Sequence, residues 1–292
     1  MKRTLQQILA LVLALSLALS LSGCSLFDTK MVRAVQKMST LESVTIDLEA
    51  QVLLDLRAGE QTMPLDAGLS GEVTLFPDPL LAKGDFTLKL PGGKETAVAY
   101  LEKQEGVFYL YSRANAGTLW NKMGFMEMKS SASKKGVWRY IAESAESFER
   151  MGLEELYGET AARYDGVISG EFIRALAEML ELESTLRDGY GVQLAEGFFN
   201  EVPDVPAHLW LSEEDSVILA LELELTEAVD ALAKKQLRDF HEETDWDALD
   251  LELSLAEATL FLRLSEYNKA EKFTIPDEAT AAWGEIKQPW EV

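Results

Sequence analysis

A long stretch of alternating polar and apolar residues, 44–56, constrains the fold of this chain more than any other feature. Successive side chains of a β-strand point to opposite faces, so this alternation predicts a long strand with one buried face and one wet face. A strand of this kind needs neighbours that share its buried face. The apolar positions are Val44, Ile46, Leu48, Ala50, Val52, Leu54 and Leu56.

Further strands follow, with turn-forming sequences between them. In Pro91-Gly92-Gly93, proline fixes the backbone angle φ and the glycines allow φ values that other residues avoid, which suits a hairpin turn. Gln104-Glu105-Gly106 separates the next pair of strands. Because the hairpins are consecutive, residues 43–112 predict a five-stranded antiparallel meander. The strands predicted after the first are 69–75, 86–90, 95–103 and 107–112.

The last third of the chain returns to strands. The stretches 208–211 and 217–225 flank an acidic turn and predict a hairpin. Thr226 is then expected to cap a helix, since threonine is a favoured N-cap residue. The apolar residues of 249–264 change phase near Ala256, which indicates a β-bulge or a tight turn.

The remaining segments predict short helices joined by loops. Apolar residues at helical spacing favour helices over 31–41 and 137–151, and Ser169 can cap a third helix with Phe172, Leu176 and Met179 on its buried face. Between these, 164–168 is a short strand candidate. Residues 187–207 are expected to form a loop, and 266–292 a polar closing segment with Trp283 and Trp290.

The N-terminus has the order of a secretory signal: Lys2-Arg3, an apolar run over 8–20, and small residues before a cysteine, Leu21-Ser22-Gly23-Cys24. This resembles the lipobox of bacterial lipoproteins. The resemblance implies thioether lipidation of Cys24 and cleavage between Gly23 and Cys24. The alternatives are an ordinary signal peptide with a chance cysteine, or an uncleaved anchor; the apolar run of about 14 residues is shorter than the roughly 20 that a spanning helix needs.

Three segments are therefore expected: a signal peptide (1–23), a lipidated tether (24–30) and one domain (31–292). Removing the signal takes away two basic residues and no acid, which leaves 25 basic against 50 acidic residues. Such a surface repels phosphate, so nucleic acid is excluded as a partner, and an anionic bilayer offers no attraction. The expected attachment to the extracytoplasmic side of the cell membrane must come from acyl chains on Cys24, two of which anchor a protein stably. No protein partner is indicated.

Three local patterns stand out beside the lipobox. They are Tyr164-Asp165-Gly166-Val167-Ile168-Ser169 before a helix, Leu209-Trp210-Leu211-Ser212 before a strand, and Ser265-Glu266-Tyr267-Asn268 shortly before Phe273-Thr274-Ile275-Pro276. Taken with the lipobox, these patterns resemble the lipoproteins related to the mycobacterial lipid-carrier lipoproteins and the LolA carriers. The resemblance implies an α+β fold in which a strongly curved antiparallel sheet, a half-open barrel, has helices packed on its concave face. It also implies that a hydrophobic ligand, a lipid or acyl chain, lies between sheet and helices.

A solid core is the alternative, and it would make the chain a non-enzymatic interaction or scaffold lipoprotein. The candidate ligand-binding residues lie in a polar stretch rich in Ser, Lys and Gly, where methionine suits a surface that repacks around apolar partners. This stretch is either a flap over an apolar mouth or another edge strand buried against a helix. The candidates are Trp120, Met123, Phe125, Met126 and Met128.

Catalytic chemistry is not indicated by the sequence. His208 falls in a strand and His241 near a helix end, and His241-Glu242 lacks the second histidine of the H-E-x-x-H zinc motif. Asp245, Asp247 and Asp250 could collect a calcium ion, but the glycine and terminal glutamate of an EF-hand loop are missing. We therefore expect no catalytic residue, no bound metal and no cofactor.

Overall fold

The computed structural model describes residues 29–58, 61–114, 117–126, 147–179, 197–243, 251–282 and 286–287. Twelve strands in these ranges join in one sheet. In chain order they are β1 (Val44–Ala58), β2 (Gln61–Pro77), β3 (Leu80–Leu90), β4 (Gly93–Gln104), β5 (Val107–Ala114), β6 (Asn121–Met126), β7 (Glu149–Leu156), β8 (Glu159–Ile168), β9 (Val205–Ser212), β10 (Ile218–Glu224), β11 (Leu251–Ser265) and β12 (Ile286–Lys287).

Helices occupy a smaller part of the described chain. They are α1 (Thr29–Met38), α2 (Gly170–Met179), α3 (Thr226–Glu243) and a single turn, α4 (Asp277–Thr280), with a 3₁₀ helix at Phe198–Glu201. Among the described residues, no helix combines the length and the hydropathy that crossing a bilayer requires. Cys24 and the rest of the predicted signal peptide lie outside the described residues.

The order across the sheet is β12-β6-β5-β4-β3-β2-β1-β11-β10-β9-β8-β7. The predicted meander is confirmed, because β1 to β5 are consecutive antiparallel neighbours, and β1 joins them to the C-terminal strands through β11. The terminal strands β12 and β7 lie at opposite ends of the order, so the sheet is unclosed. An unclosed, curved and mostly antiparallel sheet is what the half-open barrel predicts.

The phase change predicted near Ala256 is a β-bulge. Leu53 pairs with Glu257 and Leu54 pairs with Leu255, so Ala256 is the extra residue on β11. Before the bulge the odd-numbered residues of β11 face inward, and after it the even-numbered residues do. The apolar residues therefore switch phase in the sequence. Bulges bend a strand and increase its local twist, and β7 and β10 carry one each as well.

One face of the sheet, the inner face, carries the main apolar core. Ile46, Leu48, Val73 and Leu262 on this face are almost completely buried. The buried side of α1 belongs to the same cluster, through Met31, Ala34, Val35 and Met38. The opposite, outer face is mostly polar, as the alternation in β1 predicts.

The turns define two ends of the sheet. At the upper end lie the start of β1, the β2–β3, β4–β5 and β9–β10 turns and the end of β11. At the lower end lie the β3–β4 turn at Pro91 and Gly92, the end of β8 before α2, and the end of β10 before α3. The chain passes from the sheet into α2 and α3 at the lower end, whereas α1 precedes β1 at the upper end.

The prediction of a helix over 137–151 is wrong at its C-terminal end, because Glu149 to Met151 belong to β7. Every residue of β7 before Leu156 is exposed, so the strand lacks the buried positions that produce alternation. Phe148 and Met151 happen to have helical spacing. Residues 137–146 of the predicted helix lie outside the described residues.

Other predicted boundaries also need correction. β2 begins at Gln61, eight residues earlier than predicted. Its first part pairs with β1 but extends beyond β3, and Pro64, which has no amide N–H to donate, lies in this part. β8 begins at Glu159, and β9 begins at Val205 inside the predicted loop. Ser169 caps α2 as predicted, accepting a hydrogen bond from the Glu171 amide at 3.2 Å.

Thr226 begins α3, but its hydroxyl does not cap the helix. It accepts a hydrogen bond from the amide of Ala258 on β11, at 3.0 Å, and the Leu225 amide donates to the Ala258 carbonyl at 2.8 Å. These bonds attach the start of α3 to the sheet beside the β11 bulge. The side chain of Thr226 therefore fixes where the helix leaves the strand.

Candidate ligand-binding face

The inner face stays apolar below the main core. Val52 and Leu54 on β1 continue the same alternation as Ile46 and Leu48, yet they are only half-buried. We call this set of half-buried inner-face residues the lower apolar patch. Its members, placed on one face by the registers of β1, β2, β3 and β11, are Val52, Leu54, Leu65, Ala67, Leu90 and Leu255.

A small second cluster borders the lower apolar patch. Leu88 and Ala97 are buried there, with Leu90 and Ala114 packed against them, and this cluster is separate from the main core although it lies on the same face. The inner face thus contains a continuous core at its upper end and incompletely covered apolar residues at its lower end. Met63, opposite Leu56 at the tip of β2, is 53% exposed.

The five predicted ligand-binding residues do not form one surface. Asn121–Met126 is a strand bonded to β5 on one side and to β12 on the other, so over these residues the strand alternative describes the structure better than a flap. Met123 pairs with Leu110 and shares the inner face. Phe125 and Met126 pair in register with Phe108 and Val107, and Met128 lies outside the described residues. A binding role for these residues stays a prediction.

Trp120 lies on the outer face, in an aromatic cluster that holds the C-terminal segment. Its ring is 5.8 Å from that of Tyr100, which is 5.9 Å from that of Phe273. The Arg113 guanidinium lies 4.6 Å from the centre of the Trp120 ring, close enough for a cation–π interaction. These contacts explain the apolar residues of the closing segment, since Phe273 and Ile275 pack against the cluster. Trp120 is therefore engaged in packing.

A charged cluster crosses the outer face of β8, β9 and β10. His208 Nδ1 is 2.8 Å from Asp165 Oδ1, and His208 Nε2 is 3.0 Å from Glu224 Oε1. Arg163 donates two hydrogen bonds to the Asp165 carboxylate, at 2.7 and 3.1 Å. Trp210, 7% exposed, donates to Glu154 at 3.0 Å beneath the Arg163 guanidinium.

The electrostatics of this cluster favour charged pairs. Burial alone would lower the pKa of His208, but its hydrogen bonds to Glu224 and Asp165 outweigh burial and raise it. Burial alone would raise the pKa of Asp165, but Arg163 and His208 outweigh it and hold it below its ordinary value. The carboxylates on both sides of the imidazole therefore favour its protonated form, and these contacts join three strands.

The sequence predicts His208 as a structural strand residue but not its partners. Asp165, Glu224 and His208 are widely separated along the chain, and only the registers of β8, β9 and β10 bring them together. Within the described residues, no group of three His, Cys, Asp or Glu side chains is arranged to hold a metal ion. The acidic stretch with Asp245, Asp247 and Asp250 lies outside the described residues.

No protein-family model and no curated protein sequence matches the chain. It is similar to the crystal structure of lipoprotein LppX from Mycobacterium tuberculosis, with 12% identity and a TM-score of 0.42 over 83% of this chain and 95% of that one. LprF from Mycobacterium bovis gives 11% identity and a TM-score of 0.43, over 86% and 95%. An outer membrane lipoprotein-sorting protein domain from Vibrio parahaemolyticus gives 7% and 0.20, over 80% and 91%. These three structures are named as two mycobacterial lipoproteins and a lipoprotein-sorting protein domain.

Proposed function

We propose that this chain is a membrane-anchored cell-envelope lipoprotein that holds a hydrophobic ligand, a lipid or acyl chain, against the inner face of its sheet. Cys24 carries the anchor in this proposal, as the lipobox pattern implies. The helices cover part of the concave face, and the ligand occupies the part that they leave open.

The observation that carries the proposal is the lower apolar patch. β1 has 15 residues and is therefore roughly 50 Å long, whereas the 10 residues of α1 span about 15 Å. The apolar side chains of the main core are almost fully buried, while those of the patch are half-buried. Apolar surface that a fold leaves partly uncovered is suited to an apolar ligand.

The charged cluster gives no ground for proposing a catalytic role. Both ring nitrogens of His208 lie within hydrogen-bond distance of carboxylates, so neither is free to act as a base without breaking a pair. Met123, which shares the inner face, is the one predicted ligand-binding residue with a described side chain on the proposed side. We propose no catalytic residue.

Native mass spectrometry of protein purified without detergent tests the proposal. We expect a co-purifying lipid in the wild type, and weaker binding of a fluorescent fatty acid when the register partners Leu54 and Leu65 are both replaced by Ser. Asp55→Ser, next to Leu54 on the outer face, is the matched control and should bind like the wild type.

The solid-core alternative gives a different result. In that case no lipid co-purifies, and the Leu54→Ser, Leu65→Ser protein has a much lower melting temperature with unchanged fatty-acid binding. The patch would then be part of the hydrophobic core. The chain would then be an interaction or scaffold lipoprotein.

A further inference from the structure

We infer that the upper end of the sheet faces the membrane and that the lower apolar patch opens away from it. The inference rests on the proposed lipidation of Cys24 and adds an orientation to it. It follows from the way α1, the first described element after the tether, is fastened to the upper end.

The first turn of α1 is held at the β9–β10 turn. Lys30 forms an ion pair with Glu213, and Arg150 of β7 pairs with the same carboxylate at 2.7 Å. Lys30 and Arg150 lower the pKa of Glu213, with Lys30 the larger cause. About two turns later, Lys37 donates to the Asp215 carbonyl at 2.6 Å. Two lysines of α1 therefore contact a single turn of the sheet.

The connection from α1 to β1 is fixed as well. Asn268, just after β11, accepts hydrogen bonds on its side-chain oxygen from the amides of Glu42 and Ser43, at 2.6 and 3.4 Å. Its own amide donates to the Ser43 carbonyl at 2.8 Å, and the Ser43 hydroxyl accepts from the Ala270 amide at 3.2 Å. With its apolar side in the main core and both ends bonded, α1 cannot swing away from the domain.

The reach of the tether then sets the orientation. Cys24 precedes Thr29 by five residues, which span at most about 18 Å when fully extended. β3 has 11 residues and is therefore roughly 36 Å long, about twice that reach, so the attachment point cannot reach the β3–β4 turn at the far end of this strand. Acyl chains on Cys24 thus keep the β9–β10 turn near the bilayer and the β3–β4 turn far from it.

The upper end suits a surface held beside a bilayer without inserting into it. Glu214, Asp215 and Glu266 are exposed there, and Glu105 and Asp78 occupy the neighbouring turns. Carboxylates avoid hydrocarbon and are repelled by anionic lipid, so these side chains do not draw the upper end into the membrane. The partner that it faces is a lipid surface, reached only through the anchor.

Fluorescence quenching on vesicles tests this orientation. Full-length lipidated protein is reconstituted on phosphatidylcholine vesicles that contain a lipid with a nitroxide head group. A fluorophore is attached to one introduced cysteine, Glu214→Cys at the upper end or Gly92→Cys at the lower end. Glu214 is exposed, and a side chain at Gly92 meets nothing within 4 Å, so both positions accept a label. We expect severalfold stronger quenching at position 214.

Two outcomes separate the inference from the proposed function. Equal quenching at the two positions on lipidated, vesicle-bound protein, or stronger quenching at 92, overturns the orientation and leaves the anchor intact. Protein that carries no lipid and does not bind the vesicles overturns the anchor itself, which the mass of the purified protein reports independently.

Discussion

His208 shows at the scale of one residue how strands are joined on the wet face of this sheet. Its raised pKa means that the folded state binds a proton more tightly than the unfolded state, for which the ordinary value is about 6.5. The contribution to stability is therefore complete below about pH 6.5 and is lost as the pH rises through the folded pKa. Proton binding at this site couples the stability of β8, β9 and β10 to pH.

We predict that the free energy of unfolding falls between about pH 6 and pH 9 by more in the wild type than in His208→Gln. Urea unfolding at several pH values measures this difference. Arg163 on the same face does not titrate in this range, so Arg163→Gln should lower stability yet keep the pH dependence. Parallel curves for the wild type and His208→Gln would contradict the prediction.

Shortening a side chain to alanine should lower the free energy of unfolding much more on the inner side of β1 than on its outer side. Leu48 is 4% exposed in the main core, whereas its neighbour Glu49 is exposed on the outer face. Leu48→Ala should lower the free energy of unfolding by about 2 to 5 kcal/mol, because it removes buried methyl groups and leaves a cavity. Glu49→Ala should change it by less than about 0.5 kcal/mol. Chemical denaturation of both variants checks the assignment, and similar losses would refute it.

At the scale of elements, the β11 bulge determines which side chains face inward. Deleting Ala256 would remove the extra residue and make Leu255 and Glu257 consecutive, so that regular alternation keeps Leu251, Leu253 and Leu255 on the inner face. We predict that the free energy of unfolding of the deletion variant stays within about 2 kcal/mol of the wild-type value, because no leucine leaves the inner face, and moving one buried leucine out would cost about that much. Thermal unfolding of the deletion variant measures the effect.

The control for this deletion is Ala256→Ser. Ala256 is exposed, so a serine keeps the bulge and should leave the melting temperature almost unchanged. If the deletion variant failed to fold while Ala256→Ser was unaffected, the leucines below the bulge would have changed face, and Ala256 would not be the extra residue.

The sequence predicts those elements whose two faces differ in polarity. β1 and β11 alternate because one side is buried, and the phase change at Ala256 even locates the bulge. β7 escapes prediction because it is the last strand of the sheet and is wet on both faces, so no period remains to be detected. The alternation in β2 is likewise detected only from residue 69, which is about where its pairing with β3 begins.

The candidate site is less predictable, because it depends on registers between distant strands. Val52 and Leu54 are visible as apolar positions, but nothing in the sequence says that they are less covered than Leu48. Trp120 and Met123 are close in sequence, yet Trp120 joins the outer-face aromatic cluster and Met123 the inner face. A cluster of large apolar residues in the sequence therefore divides between two environments in the structure.

At the scale of the whole molecule, the proposed attachment to the membrane depends on one atom, the sulfur of Cys24. The remaining chain is strongly acidic and has no described helix that could span a bilayer. We predict that Cys24→Ser releases the protein from the membrane fraction or stalls its processing, because acyl chains supply the anchoring free energy. Fractionation followed by immunoblotting measures this. A processed Cys24→Ser protein that stays with membranes would show that another contact holds it.

The pairing of β1 with β11 also has a consequence in time. Thr45 pairs with Ser265, so the middle of the sheet closes only after almost the whole chain is available. Contacts between residues so far apart slow folding, because a long loop must close before any pairing stabilises it. Until β11 arrives, the free edge of β1 is open to other chains. In a lipoprotein exported as an unfolded chain, as the proposed function requires, slow closure keeps the chain unfolded during passage and delays folding until the C-terminal strands have crossed.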